Sequence, residues 1–218
     1  MMEKEKKGEE RKLTAAERRR KEHFEELKSG LERDGYTARN LTISVVRANL
    51  LALVLMLPFV ILFLFWYVCV NDTLGEKLSQ LQFLLMPVLI IVLMVAHELI
   101  HGLVWGCLAN SGFKSIEFGM IWSALTPYCT CTEPLKRWQY ILGSVMPTIA
   151  LGFGLGIVAI YTKQDLLCYL SLLMILGGGG DFCIIIKLLR HRFKGEKIYC
   201  DHPYECGLVV FERDKRVN

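Results

Sequence analysis

Between Ala48 and Asn71, and again between Trp138 and Thr162, the chain has no Asp, Glu, Lys or Arg. The stretch from Leu78 to Phe113 has one, Glu98, and the stretch from Leu166 to Ile186 has one, Asp181. So little charge over such lengths excludes an ordinary soluble domain, because about 20 predominantly apolar residues at 1.5 Å rise suffice to cross a bilayer. Paired cysteines are missing too: none of the eight stands in a CxxC pair, which excludes the usual zinc-knuckle spacing. There is also no basic patch interleaved with aromatics, which argues against a nucleic-acid partner.

What is present fits a membrane protein. Hydrophobic residues make up 53% of the sequence and the mean hydropathy is +0.35, above the usual soluble range. Spans are expected near Leu50–Val70, Leu84–Cys107, Tyr140–Tyr161 and Leu166–Ile186. No cleavable signal peptide is expected before them, since the first 40 residues are charged. Those 40 residues hold 12 of the 26 Lys and Arg and 10 of the 22 Asp and Glu, so the net charge of +4 says little about partners.

Orientation follows from the basic residues beside the spans. Arg39, Arg47, Lys114, Lys136, Arg137, Lys187, Arg190, Arg192, Lys194 and Lys197 all fall on one side, and only Lys77 and Lys163 on the other. Both termini and the 108–137 loop are therefore expected in the cytoplasm of a multi-pass cell-membrane protein. There Cys129, Cys131, Cys200 and Cys206 would stay reduced rather than pair. Cys129 with Cys131, and Cys200, His202 and Cys206, are possible ligand sets, but reduced loop cysteines are the expectation.

The fold class expected is all-α and multi-pass, with four transmembrane helices, short cytoplasmic β-prone segments at 41–46 (LTISVV) and 115–122 (SIEFGMIW), and an N-terminal amphipathic arm. Thr14 and Glu17 are spaced as a capping box, and Leu13, Ala16, Arg20, Phe24, Leu27 and Leu31 share one helical face. Gly30 and Gly35 are expected to end that helix, which would lie in water or among headgroups. The chain then divides into a charged arm, 1–35, a four-span membrane unit, 36–190, and a cytoplasmic tail, 191–218.

Inside the second span stands "HELIH", residues 97–101. On a helix, His97 and His101 project from one face a turn apart, the geometry of two zinc ligands. Glu98, rotated around the helix, is placed to act as a general base without ligating the metal. An ionisable group near the bilayer midplane costs at least about 2.5–3.5 kcal/mol unless it has a partner, so chance placement is a poor explanation.

A catalytic zinc usually has three protein ligands. The metzincin continuation fails, because Val104 and Cys107 stand where Gly and His are required. Asp181 is favoured as the third ligand, with Glu117 and Glu133 in reserve. Spans two and four run in the same direction, and His101 and Asp181 each lie about ten residues, or ~15 Å, from their cytoplasmic ends. Gly177–Gly180 before Asp181 would allow close approach of backbone or substrate, and Pro147 would kink the third span.

HELIH in one span with an aspartate in a later glycine-rich span resembles the site-2 protease class of intramembrane zinc proteases, which implies two histidines and an aspartate as ligands. The run from "GYTARNLTIS" through "HELIHGLVWG", "TPYCTCTEPL" and "GGGGDF" more closely resembles the zincin peptidase family of small bacterial membrane proteins, over about residues 35–210. The "GGGGDF" stretch departs from the asparagine-proline-aspartate-glycine form common in site-2 proteases.

The expected function is an intramembrane zinc metalloprotease acting on a membrane protein or peptide, with Glu98 catalytic and His97, His101 and Asp181 holding Zn²⁺. An edge strand near 115–122 would hold an extended substrate by strand addition. An oligomer is compatible with the sequence. The alternative is a zinc-binding membrane protein without proteolysis, either a transporter component or an inactive scaffold. Intact Glu98 argues against the scaffold, and four spans without inverted repeats argue against a stand-alone transporter.

Overall fold

The computed structural model describes residues 13–71, 78–121, 126–192 and 195–214. The first twelve residues of the arm, Lys77, Trp122 and Lys194 lie outside the described residues.

Among the described residues, four helical segments are long and apolar enough to cross a membrane: Val46–Asn71, Gln80–Leu108, Arg137–Thr162 and Asp165–Arg190. Each is a few residues longer at its ends than the sequence suggests. The first two are single helices, α2 (Val45–Asn71) and α3 (Gln80–Leu108), the latter started by a Ser79–Gln82 capping box. The third begins as α4 (Arg137–Pro147), passes through a π-helical stretch, Thr148–Gly154, and ends as α5 (Leu155–Thr162). The fourth comprises α6 (Asp165–Gly177) and α7 (Gly179–Arg190), joined at Gly178. Large apolar side chains such as Leu50, Val54, Phe65, Phe83, Leu84 and Ile91 stand exposed on α2 and α3.

The all-α expectation needs correction. Among the described residues five strands form two sheets, all at one end of the bundle. Strand β1 (Thr37–Thr42) leads into α2, β2 (Ile116–Ile121) and β3 (Thr126–Cys131) connect α3 to α4, and β4 (Glu196–Asp201) and β5 (Gly207–Arg213) follow α7. The tail is thus a hairpin whose β5 lies between β4 and β1 in an antiparallel sheet, with Thr37 opposite Glu212 and Asp201 opposite Leu208. Strands β2 and β3 form a separate hairpin, joined to β4 through the Leu135–Tyr199 bridge and contacts of Asp201. The β-prone 41–46 stretch contributes only its first two residues to β1, because α2 already begins at Val45.

The arm also differs from expectation. Helix α1 (Ala15–Arg33) starts at the predicted capping box, with Glu17 N–H donating to Thr14 Oγ1 and Thr14 N–H to Glu17. It runs through Gly30, and only Gly35, at φ +86°, takes the left-handed conformation that turns the chain into β1. Rather than lying in water, it packs Phe24, Leu27 and Leu31 on Cys200, Val209 and Phe211 of the three-stranded sheet. The apolar stripe had a partner that no local pattern could name: the tail hairpin nearly two hundred residues away.

Two apolar clusters position what lies between them. Met56, Phe63, Tyr67, Ala159, Ile160, Cys168 and Ile175 knit the helices at the end away from the sheets. Trp105, Leu135, Tyr140, Leu188, Tyr199, Leu208 and Val210 join α3, α4 and α7 to the strands. Two of the four glycines before Asp181 serve this packing: a Cβ on Gly179 would come within 2.6 Å of Ala52 on α2, and one on Gly178 would overlap Thr148. Gly177 and Gly180 meet nothing within 4 Å and line a cavity instead.

Candidate metal centre

Three side chains converge on one point between α3 and α7. The ligand atoms of His97, His101 and Asp181 all lie within 4.8 Å of one another. His97 Nε2 is 3.3 Å and His101 Nε2 is 3.5 Å from the same carboxylate oxygen, Asp181 Oδ2. The two imidazoles come from adjacent turns of one helix, with ring centroids 4.9 Å apart, and Asp181 comes from the first turn of α7.

The orientation of His101 is fixed from behind. Its Nδ1 lies 2.9 Å from the carbonyl oxygen of Gly143 on α4. A carbonyl only accepts, so Nδ1 carries the proton and Nε2 faces Asp181. That carbonyl is available because of Pro147. In an α-helix the Gly143 carbonyl would accept from the N–H four residues on, and proline has none. His101 supplies the missing donor, and the span beyond Pro147 continues as a π-helix. The same ring stacks on Trp105, with centroids 5.0 Å apart and planes at 15°, and Trp105 in turn donates to the Tyr140 carbonyl. Gly143 must be glycine here, since a Cβ would overlap the Trp105 indole.

The donor set fits a metal ion. Two imidazole nitrogens and a carboxylate pointing at each other leave lone pairs facing lone pairs, an arrangement that a shared cation stabilises. A neutral imidazole whose other nitrogen donates to a carbonyl is the usual zinc-ligand arrangement, and two histidines with one carboxylate is a common catalytic zinc set.

Glu98 lies outside this trio but lines the same cavity, facing the backbone N–H of Cys129 on β3. The cavity has a volume of about 940 Å³. Its walls come from α2 (Ala48, Ala52), from β3 (Thr126–Thr130), from the β4–β5 turn and from Arg20 of α1. Hence β3 runs along the cavity, and among the described residues of the 115–122 stretch Ile121 alone lines it.

The reserve ligands are elsewhere. Glu117 pairs with Arg20 at 3.3 Å, and Glu133 accepts from the Ser111 N–H. The cysteines form no second centre: all eight are free, and among the described residues His97, His101 and Asp181 are the one convergent group found. Burial pushes the thiols of Cys129 and Cys200 up, and that of Cys131 to about 11. His202 Nδ1 accepts from the Glu205 N–H within its own turn.

Sequence reasoning missed several supporting residues. Trp105 was within reach, being four residues after His101 on the same helix face. Asp201 carried no local signal. It is a half-buried carboxylate on β4 that accepts from Tyr140 Oη at 2.7 Å, the Cys131 N–H at 2.9 Å and Thr130 Oγ1 at 3.1 Å. It thereby ties β3 to α4, the element that holds His101.

Fold and site define a class: a bundle of four helices apolar enough for a membrane, with a candidate two-histidine, one-carboxylate metal centre at its strand-bearing end. Comparison with known families agrees. Residues 90–194, from the middle of α3 past the end of α7, match the family described as "Putative zincin peptidase". The match contains HELIH and Asp181, and it points to a zinc metallopeptidase. It is narrower than the 35–210 range expected from the sequence. No curated protein and no solved structure matches the chain.

Proposed function

We propose that this chain is an intramembrane zinc metalloprotease of the site-2 type, cleaving membrane-associated proteins or peptides, with both termini in the cytoplasm. The observation that carries the reading is the convergence of His97, His101 and Asp181 beside Glu98 at a cavity walled by a strand. His97 and His101 would hold zinc through Nε2 and Asp181 through its carboxylate. When bound there, zinc would supply a Lewis acid that polarises the scissile carbonyl and lowers the pKa of a water molecule toward about 7.

Glu98 takes the proton of the attacking water and passes it to the leaving amine. Gly143 and Trp105 keep His101 in the orientation and tautomer that ligation needs. A helical substrate hides its peptide bonds in internal hydrogen bonds, so it must unwind to be cut. Strand β3 offers an extended template for the unwound segment. On that edge the Cys131 N–H is taken by Asp201, the Cys129 N–H faces Glu98 and Pro127 has none, so a substrate strand would meet mainly the carbonyls of β3.

Metal analysis of purified full-length variants tests the ligand set. Asp181→Ala is expected to weaken zinc binding by about 100-fold or more, beyond the 10–100-fold typical of residues that only support a ligand. Glu117→Ala, whose partner is Arg20, should leave zinc at the wild-type level. The reverse order of losses would overturn the assignment.

A further inference from the structure

The N-terminal helix reaches the cavity through two buried polar residues, Glu17 and Arg20. Each is 5% exposed, and such burial is unusual for an arginine. The Arg20 guanidinium donates to the Pro203 carbonyl at 3.0 Å, to Glu117 at 3.3 Å and to Tyr128 Oη at 2.6 Å, and it lies 5.1 Å from the centre of the Tyr128 ring. Pro203 and Tyr128 line the cavity from the β4–β5 turn and β3, and Glu117 lies on the neighbouring strand β2. Farther along α1 the attachment is apolar. Phe24, Leu27 and Leu31 hold it to the three-stranded sheet, with Phe24 6.0 Å from Phe211 between ring centres. The helix is therefore fixed at one end by apolar packing and held at the other by polar side chains, among which Arg20 bridges the β4–β5 turn, β2 and β3.

We propose that α1 is a lid over the candidate active-site cavity and that Arg20 is its latch, the residue that controls substrate access. Apolar contacts act as a hinge because they tolerate small rotations, whereas the fork of Arg20 holds only in one geometry. Releasing the latch lifts the first turns of α1 from β3, the strand that the substrate must reach. Glycine at 119 belongs to the device. The Tyr128 ring lies across it, and a Cβ there would overlap that ring and its hydroxyl, displacing the Tyr128 Oη that Arg20 holds. The inference relies on the proposed function only in calling the cavity a substrate site.

The test needs no turnover. Cys129 lines the cavity and is a free thiol, whereas Cys168 is buried in the distal cluster at 0% exposure. The full chain in lipid nanodiscs is treated with a water-soluble maleimide, and labelling rates are read residue by residue by mass spectrometry. In Arg20→Ala, Tyr128→Phe and Gly119→Ala, Cys129 should label about tenfold faster than in the wild type, the change expected from losing one or two charge-assisted hydrogen bonds of the closed state. Cys168 should stay protected. Unchanged Cys129 labelling in Arg20→Ala and Gly119→Ala would overturn the lid. So would Cys129 and Cys168 becoming reactive together, because α1 would then be a strut whose loss unfolds the protein. Because labelling is read in the absence of hydrolysis, a failed lid and a failed protease assignment give separate results.

Discussion

Pro147→Ala gives the third span one backbone N–H that it lacks, aimed at the carbonyl of Gly143. Pro147 has helical dihedrals, φ −59° and ψ −43°, so alanine fits without rearrangement and its N–H points along the helix toward that oxygen. Two effects of opposite sign follow. Removing a proline from a helix interior should stabilise the fold by about 1–3 kcal/mol. The new donor, however, competes with His101 Nδ1 for the carbonyl it holds at 2.9 Å. Loss of part or all of a bond with a net worth of about 0.5–1.5 kcal/mol lowers zinc affinity by up to roughly tenfold. Thermal unfolding in detergent and zinc competition against a chromophoric chelator measure the two on one preparation. The expected result is a higher Tm together with weaker zinc binding. A variant that gains stability and keeps wild-type zinc affinity would refute the role given to Pro147 and to the carbonyl it frees.

Asp201 offers a prediction in pH. Burial raises its carboxyl pKa above the ordinary 3.8, against the lowering effect of Tyr140, the Cys131 N–H and Thr130. A raised folded value means stability from this group that is complete below pH 3.8 and is lost as pH rises through the folded value. Asp201→Asn removes that dependence. One amide oxygen can accept from Thr130 and Cys131, and the Tyr140 hydroxyl can turn to accept from the amide. The variant should therefore gain on the wild type as pH rises from 4 toward neutrality, by about 1 kcal/mol or more for each pH unit between the two pKa values. Thermal melts across that range check it, and a difference that is flat with pH would contradict the buried-carboxylate account. Asp201→Ala, which leaves the Cys131 N–H unpaired, should instead lose about 2–5 kcal/mol.

The helices were legible because uncharged runs leave few alternatives, and HELIH was legible because its spacing fixes a shared face. Asp181 could be matched to His101 by depth alone, since span length and direction set it. The strands were harder. Residues 126–131 read as a cysteine-bearing loop, and 196–213 as a tail, because each strand is only six or seven residues long and finds its partner far away in sequence. Arg20 sat on the predicted apolar face of α1 with no role assigned to it. Its meaning depends on Pro203, Glu117 and Tyr128, which the fold alone brings together. The link from Pro147 to Gly143 was half visible: a proline always frees the carbonyl four residues back, but which donor takes it is a tertiary fact.

The central claim is that Glu98 moves a proton while other residues hold the metal. Wild-type protein and Glu98→Gln, reconstituted in lipid, can be compared for zinc per chain and for cleavage of a panel of membrane-anchored fluorogenic peptides. Equal zinc content with turnover reduced by about 100- to 10,000-fold is the expected result. Turnover retained in Glu98→Gln, or zinc lost together with turnover, would contradict the account.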